Sequence, residues 1–300
     1  GATGNSHSDI EIEANDSIFI FIEVTIDPNS TNDLFVVNEN LRFITNGNNQ
    51  SVALVAWGQD AHYFVANQFS SGLPPLVYLD KDSSAGALDI TWTNDKPYVI
   101  YGGYLTLDGN DKLTIEKGVR IHSHNNSGIW VYKGGNLIVN GTKDEPVTFQ
   151  GTRLDYAFQD IPGQWDRIWI NEGGTDNVFN YAVIKNAFIG IQAETLPFEP
   201  STALSGNKLI LNNCEIHNSS AVGILATNYQ IDGENSLITN CGQYNFLVTG
   251  GGKYNFNHTT FANYWPDGTR DTPILHLQNS YTDINGATQV RNIDSALFKN

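Results

Sequence analysis

Ala182-Val-Ile184-Lys-Asn186, Cys214-Glu-Ile216-His-Asn218, Ser236-Leu-Ile238-Thr-Asn240 and Thr259-Thr-Phe261-Ala-Asn263 are four copies of one five-residue frame. A small residue leads, an apolar residue stands third and Asn stands fifth. Ala296-Leu-Phe298-Lys-Asn300 fits as well, and Val119-Arg-Ile121-His-Ser123 and Val147-Thr-Phe149-Gln-Gly151 fit more loosely. Successive starts differ by 28, 35, 32, 22, 23 and 37 residues, so the period is near 22 with insertions on top. A second short strand follows each frame but the last: GIWVY (128–132), RIWIN (167–171), GIQAE (190–194), GILAT (223–227), FLVT (246–249) and LHLQ (275–278). A third precedes most of them: LTI (113–115), LIV (137–139), VFN (178–180), LIL (209–211) and YNF (254–256). Three strands per repeat of ~22 residues predict a parallel β-helix, a stack of rungs that buries one side of each strand. Propeller blades need ~40–50 residues, which the shortest intervals do not supply. The recurrent Asn falls where the chain must turn, because Asn tolerates the left-handed backbone region and its amide can bond a neighbour one rung away.

Outward from the repeat, the N-terminal stretch reads differently. SIFIFIEVTI (17–26), LFVV (34–37), LRFITN (41–46), SVALVAWG (51–58) and PLVYLD (75–80) are β-branched and aromatic runs, separated by DPNSTND, NGNNQ and SSGLPP. Turn chemistry between short strands suits a small β-sandwich. KDSSAGA (81–87) reads as a linker. The expected organisation is therefore all-β: an Ig-like sandwich over 9–87, then a right-handed parallel β-helix of about seven rungs over 88–300.

Composition narrows the partners. Of 300 residues, 16 are Lys or Arg and 32 are Asp or Glu, a formal charge of −16. Asn contributes 35 residues and Gly 28. An acidic chain with no basic block is a poor ligand for nucleic acid or anionic membranes. The content of 6 Trp, 13 Tyr and 15 Phe excludes a disordered chain. No apolar run approaches the ~20 residues of a membrane helix. No secretory leader opens the chain, so a mature or trimmed form is expected. The composition fits an extracytoplasmic protein.

The runs PYVIYGGYLTLDGNDKLTIEKGVRI (97–121) and GGNLIVNGTKDEPVTFQG (134–151) resemble the first rungs of secreted right-handed parallel β-helix proteins of bacteria. PGQWDRIWINEGGTDNVFNYAVIKNAFIGIQ (162–192) resembles functionally uncharacterised surface lipoproteins of that group, and LRFITNGNNQSVALVAWGQDA (41–61) resembles their N-terminal Ig-like domain. The resemblance implies the fold and a place in the cell envelope, at the outer-membrane surface or in the periplasm, with lipid anchoring outside this sequence. It implies no reaction.

Candidate site residues follow from the rung pattern. The corner after the frame is long at Thr152–Gln164 and again at Tyr264–Thr272, four rungs or roughly 19 Å apart. Two such loops would wall a trough, carrying Tyr156, Phe158, Trp165, Tyr264 and Trp265, unless these aromatics fold down onto their own loops. Alternation in the second strand points Trp130, Trp169, Gln192, Leu225, Leu247 and His276 outward as one stripe, with Tyr132, Asn171 and Glu194 beside it. Aromatic faces next to amides and a carboxylate suit sugar rings. The alternative is a stripe covered by the 152–164 loop or the N-terminal domain. Asp155/Asp160, Glu172/Asp176, Glu194/Glu199 and Asp267/Asp271 are candidate carboxylate pairs for glycoside hydrolysis, and clustered Asp in turns can hold Ca²⁺, but no run has an EF-hand or nonapeptide Ca²⁺ spacing and acid pairs in such turns more often cap the turn. Arg153, Arg167 and Arg270 are the basic residues near the trough. His122 and His124 read as exposed turn histidines rather than half a metal site. Cys214 should point inward beside Ala182 and Ser236, leaving it and Cys241 as free thiols.

The expected function is a non-catalytic glycan-binding or scaffold protein of the envelope, with no metal or cofactor and a neutral polysaccharide as partner. One alternative is a polysaccharide hydrolase or lyase in the same trough, with Glu194 as its carboxylate. The other is an adhesin-like module that takes a protein partner. A solenoid end with open strand edges needs a cover, so the chain is expected to continue past Asn300 or to be capped there.

Overall fold

The computed structural model describes residues 6–22, 35–58, 60–81, 87–171, 174–195, 202–282 and 286–300. The chain divides into two compact units, Gly1–Asp60 and Ala61–Asn300.

In the first unit, Phe35–Thr45 pairs antiparallel with Asn48–Gly58. Asn46 and Gly47 join them at φ 51° and 81°, the left-handed pair that a tight hairpin requires. The described part of SIFIFIEVTI, up to Ile22, contains no strand, and its last four residues lie outside the described residues. Among the described residues the expected sandwich is thus a single two-stranded ribbon.

The second unit is a parallel β-helix. Three sheets of eight strands each run through it, and every neighbouring pair within them is parallel. The first sheet begins with His62–Val65, the second with Leu76–Tyr78 and the third with Asp89–Trp92. Two sequence expectations are corrected here. PLVYLD belongs to the solenoid, because Leu76–Tyr78 pairs parallel with Tyr104–Leu107. The stack therefore opens at 62, not 88, and has eight rungs. Its first turns carry no frame Asn, so the repeat did not reveal them. The linker KDSSAGA lies mostly outside the described residues. The last frame also moves: Ser295–Lys299 pairs with Lys253–Asn257 in the third sheet. Between it and Leu275–Leu277 the chain inserts an antiparallel pair, Ser280–Thr282 with Thr288–Val290, so Ala296-Leu-Phe298 matches the frame by composition rather than by position.

Alternation builds the core. Leu113, Leu137, Leu209 and Ile231 rise through the third sheet, Ile129, Ile168, Ile191 and Ile224 through the second, and Phe149, Ile184, Ile216 and Ile238 through the first. All belong to one cluster. Each fully buried apolar side chain contributes ~1.5–3 kcal/mol against leaving it in water. Gly233 keeps the pattern where Phe256 is large: a Cβ there would run into the Phe256 ring.

The corners explain the Asn content. Asn186, Asn218 and Asn240 close the first-sheet strands at φ 62°, 55° and 53°, as the frame predicts. Asn263 is not left-handed. A second corner was not anticipated. Tyr181, Asn213, Asn235 and His258 turn the chain from the third sheet into the first at φ 48–54°. Their amides bond upward, Asn213 to Glu234 and Asn235 to Asn257, which satisfies the turn from the next rung. The side-chain ladder bond forms between Asn212 Nδ2 and Asn180 Oδ1 (3.0 Å), not between frame Asn residues.

Candidate functional site

The register of the second sheet aligns Trp130, Trp169, Gln192, Leu225, Leu247 and His276 on its outer face. The two indoles lie face to face, centroids 4.7 Å and planes 8° apart. Their faces are thus turned along the stack rather than toward solvent. Trp130 is further closed by the edges of Tyr104 and Tyr132, and is only 4% exposed. Its Nε1 donates to Asn171 Oδ1 (2.7 Å), and Asn171 is buried in turn. Trp169 repeats the bond one rung higher, donating to Glu194 Oε1 (2.7 Å). Trp130 and Asn171 are therefore structural. The alternation gives their direction correctly, but it carries no information on ring–ring stacking across rungs. Trp169, Gln192, Leu225, Leu247 and His276 remain half-buried, with Glu194 beside them.

The long corners are tied down rather than free-standing. Gln164 Nε2 donates to the carbonyls of Phe158 (2.6 Å) and Ile161 (2.8 Å), and Asn186 Nδ2 donates to Gln159 O (2.8 Å). Arg153 lies 3.6 Å over the Phe158 ring and pairs with Asp155. Tyr156, in a single 3-10 turn, is left 89% exposed. Trp165 is no wall residue: it is 2% exposed, donates Nε1 to Lys185 O (2.8 Å), and bridges Asn125 and Ala187 in the corner stack. The Trp265 ring lies against Gly242, while Tyr264 is exposed. Arg270 anchors its loop to Gln243 O (2.6 Å).

Sequence reasoning missed Tyr104 and Asp166. The Tyr104 hydroxyl donates to Asp166, and burial with this carboxylate pushes that hydroxyl well above its ordinary range. Asp166 also pairs with Arg167 (2.9 Å), which donates to Gln192 and sits 5.7 Å over Phe188. Only the register reveals this cluster, because Tyr104 lies 62 residues from Asp166. Of the candidate carboxylates, Glu172 and Glu199 lie outside the described residues, and Asp160, Asp267 and Asp271 stand exposed on loops. Among the described residues no group of three or more His, Cys, Asp or Glu is placed to hold a metal ion.

His122 is a correction. It is 2% exposed, with Nδ1 3.3 Å from Gly151 O and Nε2 unpartnered. Burial pulls its pKa down to about 4. His124 stacks on Tyr101 at 4.6 Å. Cys214 and Cys241 are free and buried, and Cys214 N donates to Ser236 Oγ (3.0 Å), as the frame requires.

Stacked rungs and three parallel sheets define a parallel β-helix protein. A family model described as a pectate-lyase-like β-helix domain matches residues 84–182, and over that span the chain is similar to such domains. No curated protein and no solved structure matches the chain.

Proposed function

We propose that this protein binds a neutral glycan along the outer face of the second sheet, as a non-catalytic extracytoplasmic binding or scaffold protein. The carrying observation is the continuous half-buried row Trp169, Gln192, Leu225, Leu247 and His276. Rungs advance ~4.8 Å each, close to one sugar ring of an extended chain. Leu225 and Leu247 offer apolar contact for ring C–H faces, and Gln192 and Glu194 offer hydrogen bonds for hydroxyls. A pectate-lyase-like β-helix domain fits a carbohydrate-related extracellular role. The charge of −16 favours a neutral chain over a polyanion. Engagement of Asp166 by Arg167 and of Glu194 by Trp169 favours binding over hydrolysis.

The test is affinity electrophoresis of the full chain through gels of neutral polysaccharides. At least one should retard the protein, and Trp169→Ala or Leu225→Asp should weaken that retardation about tenfold. No retardation in any gel, or retardation indifferent to both changes, overturns the proposal. Release of sugar products that is lost in Glu194→Gln would establish a hydrolase or lyase instead.

A further inference from the structure

The outer face of the third sheet carries a separate polar array. Its register aligns Asn140, Asn180, Asn212, Glu234, Asn257 and Lys299 in one column. The neighbouring column is apolar at Val178 and Ile210, then polar at Asp232 and Asn255. Where the change occurs, a groove of about 390 Å³ is lined from both columns by Ile210, Asn212, Asp232, Glu234, Asn255 and Asn257, with Lys299 at its border. That volume lies within the range of small-molecule sites.

The groove's chemistry selects its occupant. Each amide offers a donor and an acceptor, the two roles a sugar hydroxyl also plays. Asn212 is oriented by its bond to Asn180 Oδ1. Asp232 is paired with Lys208 Nζ at 2.6 Å, and the groove's other two charged residues, Glu234 and Lys299, stand two rungs apart in one column, so the four formal charges sum to zero. A neutral ligand then meets no repulsion, while an anion or a cation meets a like charge. Ile210 supplies an apolar wall for a ring face.

We infer that this groove is a second saccharide site, on a different sheet from the face proposed above, taking a neutral, hydroxyl-rich oligosaccharide along the solenoid axis. With both faces occupied, one molecule bridges two glycan chains.

The two sites separate in a calorimetric titration of the full chain with short neutral oligosaccharides, namely β-1,4-glucan, β-1,4-mannan, β-1,3-glucan and α-1,4-glucan. At least one should still bind Trp169→Ala with the wild-type affinity of this site. The Asn212→Ala/Asn257→Ala protein should lose that binding by about tenfold or more. Asn255→Lys, an outward change that fills the groove and upsets its charge balance, should do the same, and it decides the matter if the double variant fails to fold. The inference is overturned if no oligosaccharide binds Trp169→Ala, or if binding persists unchanged in both groove variants. Binding by the wild-type chain that is unchanged in both Trp169→Ala and Leu225→Asp but lost in the groove variants overturns the earlier proposal and leaves this one standing.

Discussion

Trp169 lies flat on Trp130, ring centroids 4.7 Å apart, and each indole N–H reaches a side chain one rung higher. The pair staples adjacent rungs on the outer face, so the two residues differ in what they can do. Trp130 is enclosed; Trp169 is the end of the aromatic stack and borders the half-exposed row.

Replacing Trp130 with Ala should therefore cost about 3–5 kcal/mol of stability, the range for a buried large aromatic. It also strips Asn171 Oδ1 of its donor. Trp169→Ala should cost distinctly less, because part of that ring already meets water. Guanidinium unfolding of the two variants provides the comparison; equal and small effects would contradict the stapling role.

The left-handed corners make a sharper prediction. Asn235 is exposed and holds φ 48°. Asn235→Val should destabilise by about 1–2 kcal/mol, since a branched side chain opposes that conformation. Asn235→Gly should lie within about 0.5 kcal/mol of wild type, because glycine enters the region freely and offsets its own entropy. Thermal unfolding midpoints would show the split, and a Val variant as stable as the Gly variant would refute it.

Acid should act through His122. Its ordinary pKa is 6.5 and its folded value is about 4. Above pH 6.5 both states are neutral there, and stability does not depend on it. As pH falls from 6.5 to 4, the unfolded chain takes up a proton that the folded one refuses. Stability is thereby lost, by about 3 kcal/mol at pH 4. His122→Gln should abolish this component, measured as the difference in unfolding free energy between pH 7 and pH 4 for variant and wild type. A variant with the same acid sensitivity as wild type would remove His122 from the account.

Both thiols should resist modification. Burial pushes Cys214 and Cys241 up to about 12, and the thiolate is the reacting form. Neither should react with a thiol reagent in native protein at pH 8, and both should react in guanidinium. Rapid native labelling, or a mass showing a bridge between them, would overturn the rung assignment.

Most of the solenoid was legible because its repeat is written in small alphabets. Inward positions at a period of two need apolar residues, and left-handed corners need Asn, so Ile184, Ile216, Ile238, Asn186, Asn218 and Asn240 announce their places. The first rung was not legible, since Phe64, Val77 and Trp92 fill the core without a frame Asn to mark the turn. The corner through Tyr181, Asn213, Asn235 and His258 was obscured because two of its four residues are not Asn.

The site was legible only in outline. Strand alternation by itself determined which side chains leave the second sheet and which rung neighbours they meet: Trp130 under Trp169, Gln192 under Leu225. It determined that Cys214 lies inside. What only the tertiary structure decided is how far each outward group remains available. Trp130 is outward yet enclosed, Trp165 sits in the corner stack, His122 is buried outside its own sheet, and the Tyr104–Asp166–Arg167 cluster joins distant segments. The physical reason is that direction is a local property of a pleated backbone, whereas exposure depends on rings, loops and partners one rung away, which the chain brings together only when it coils.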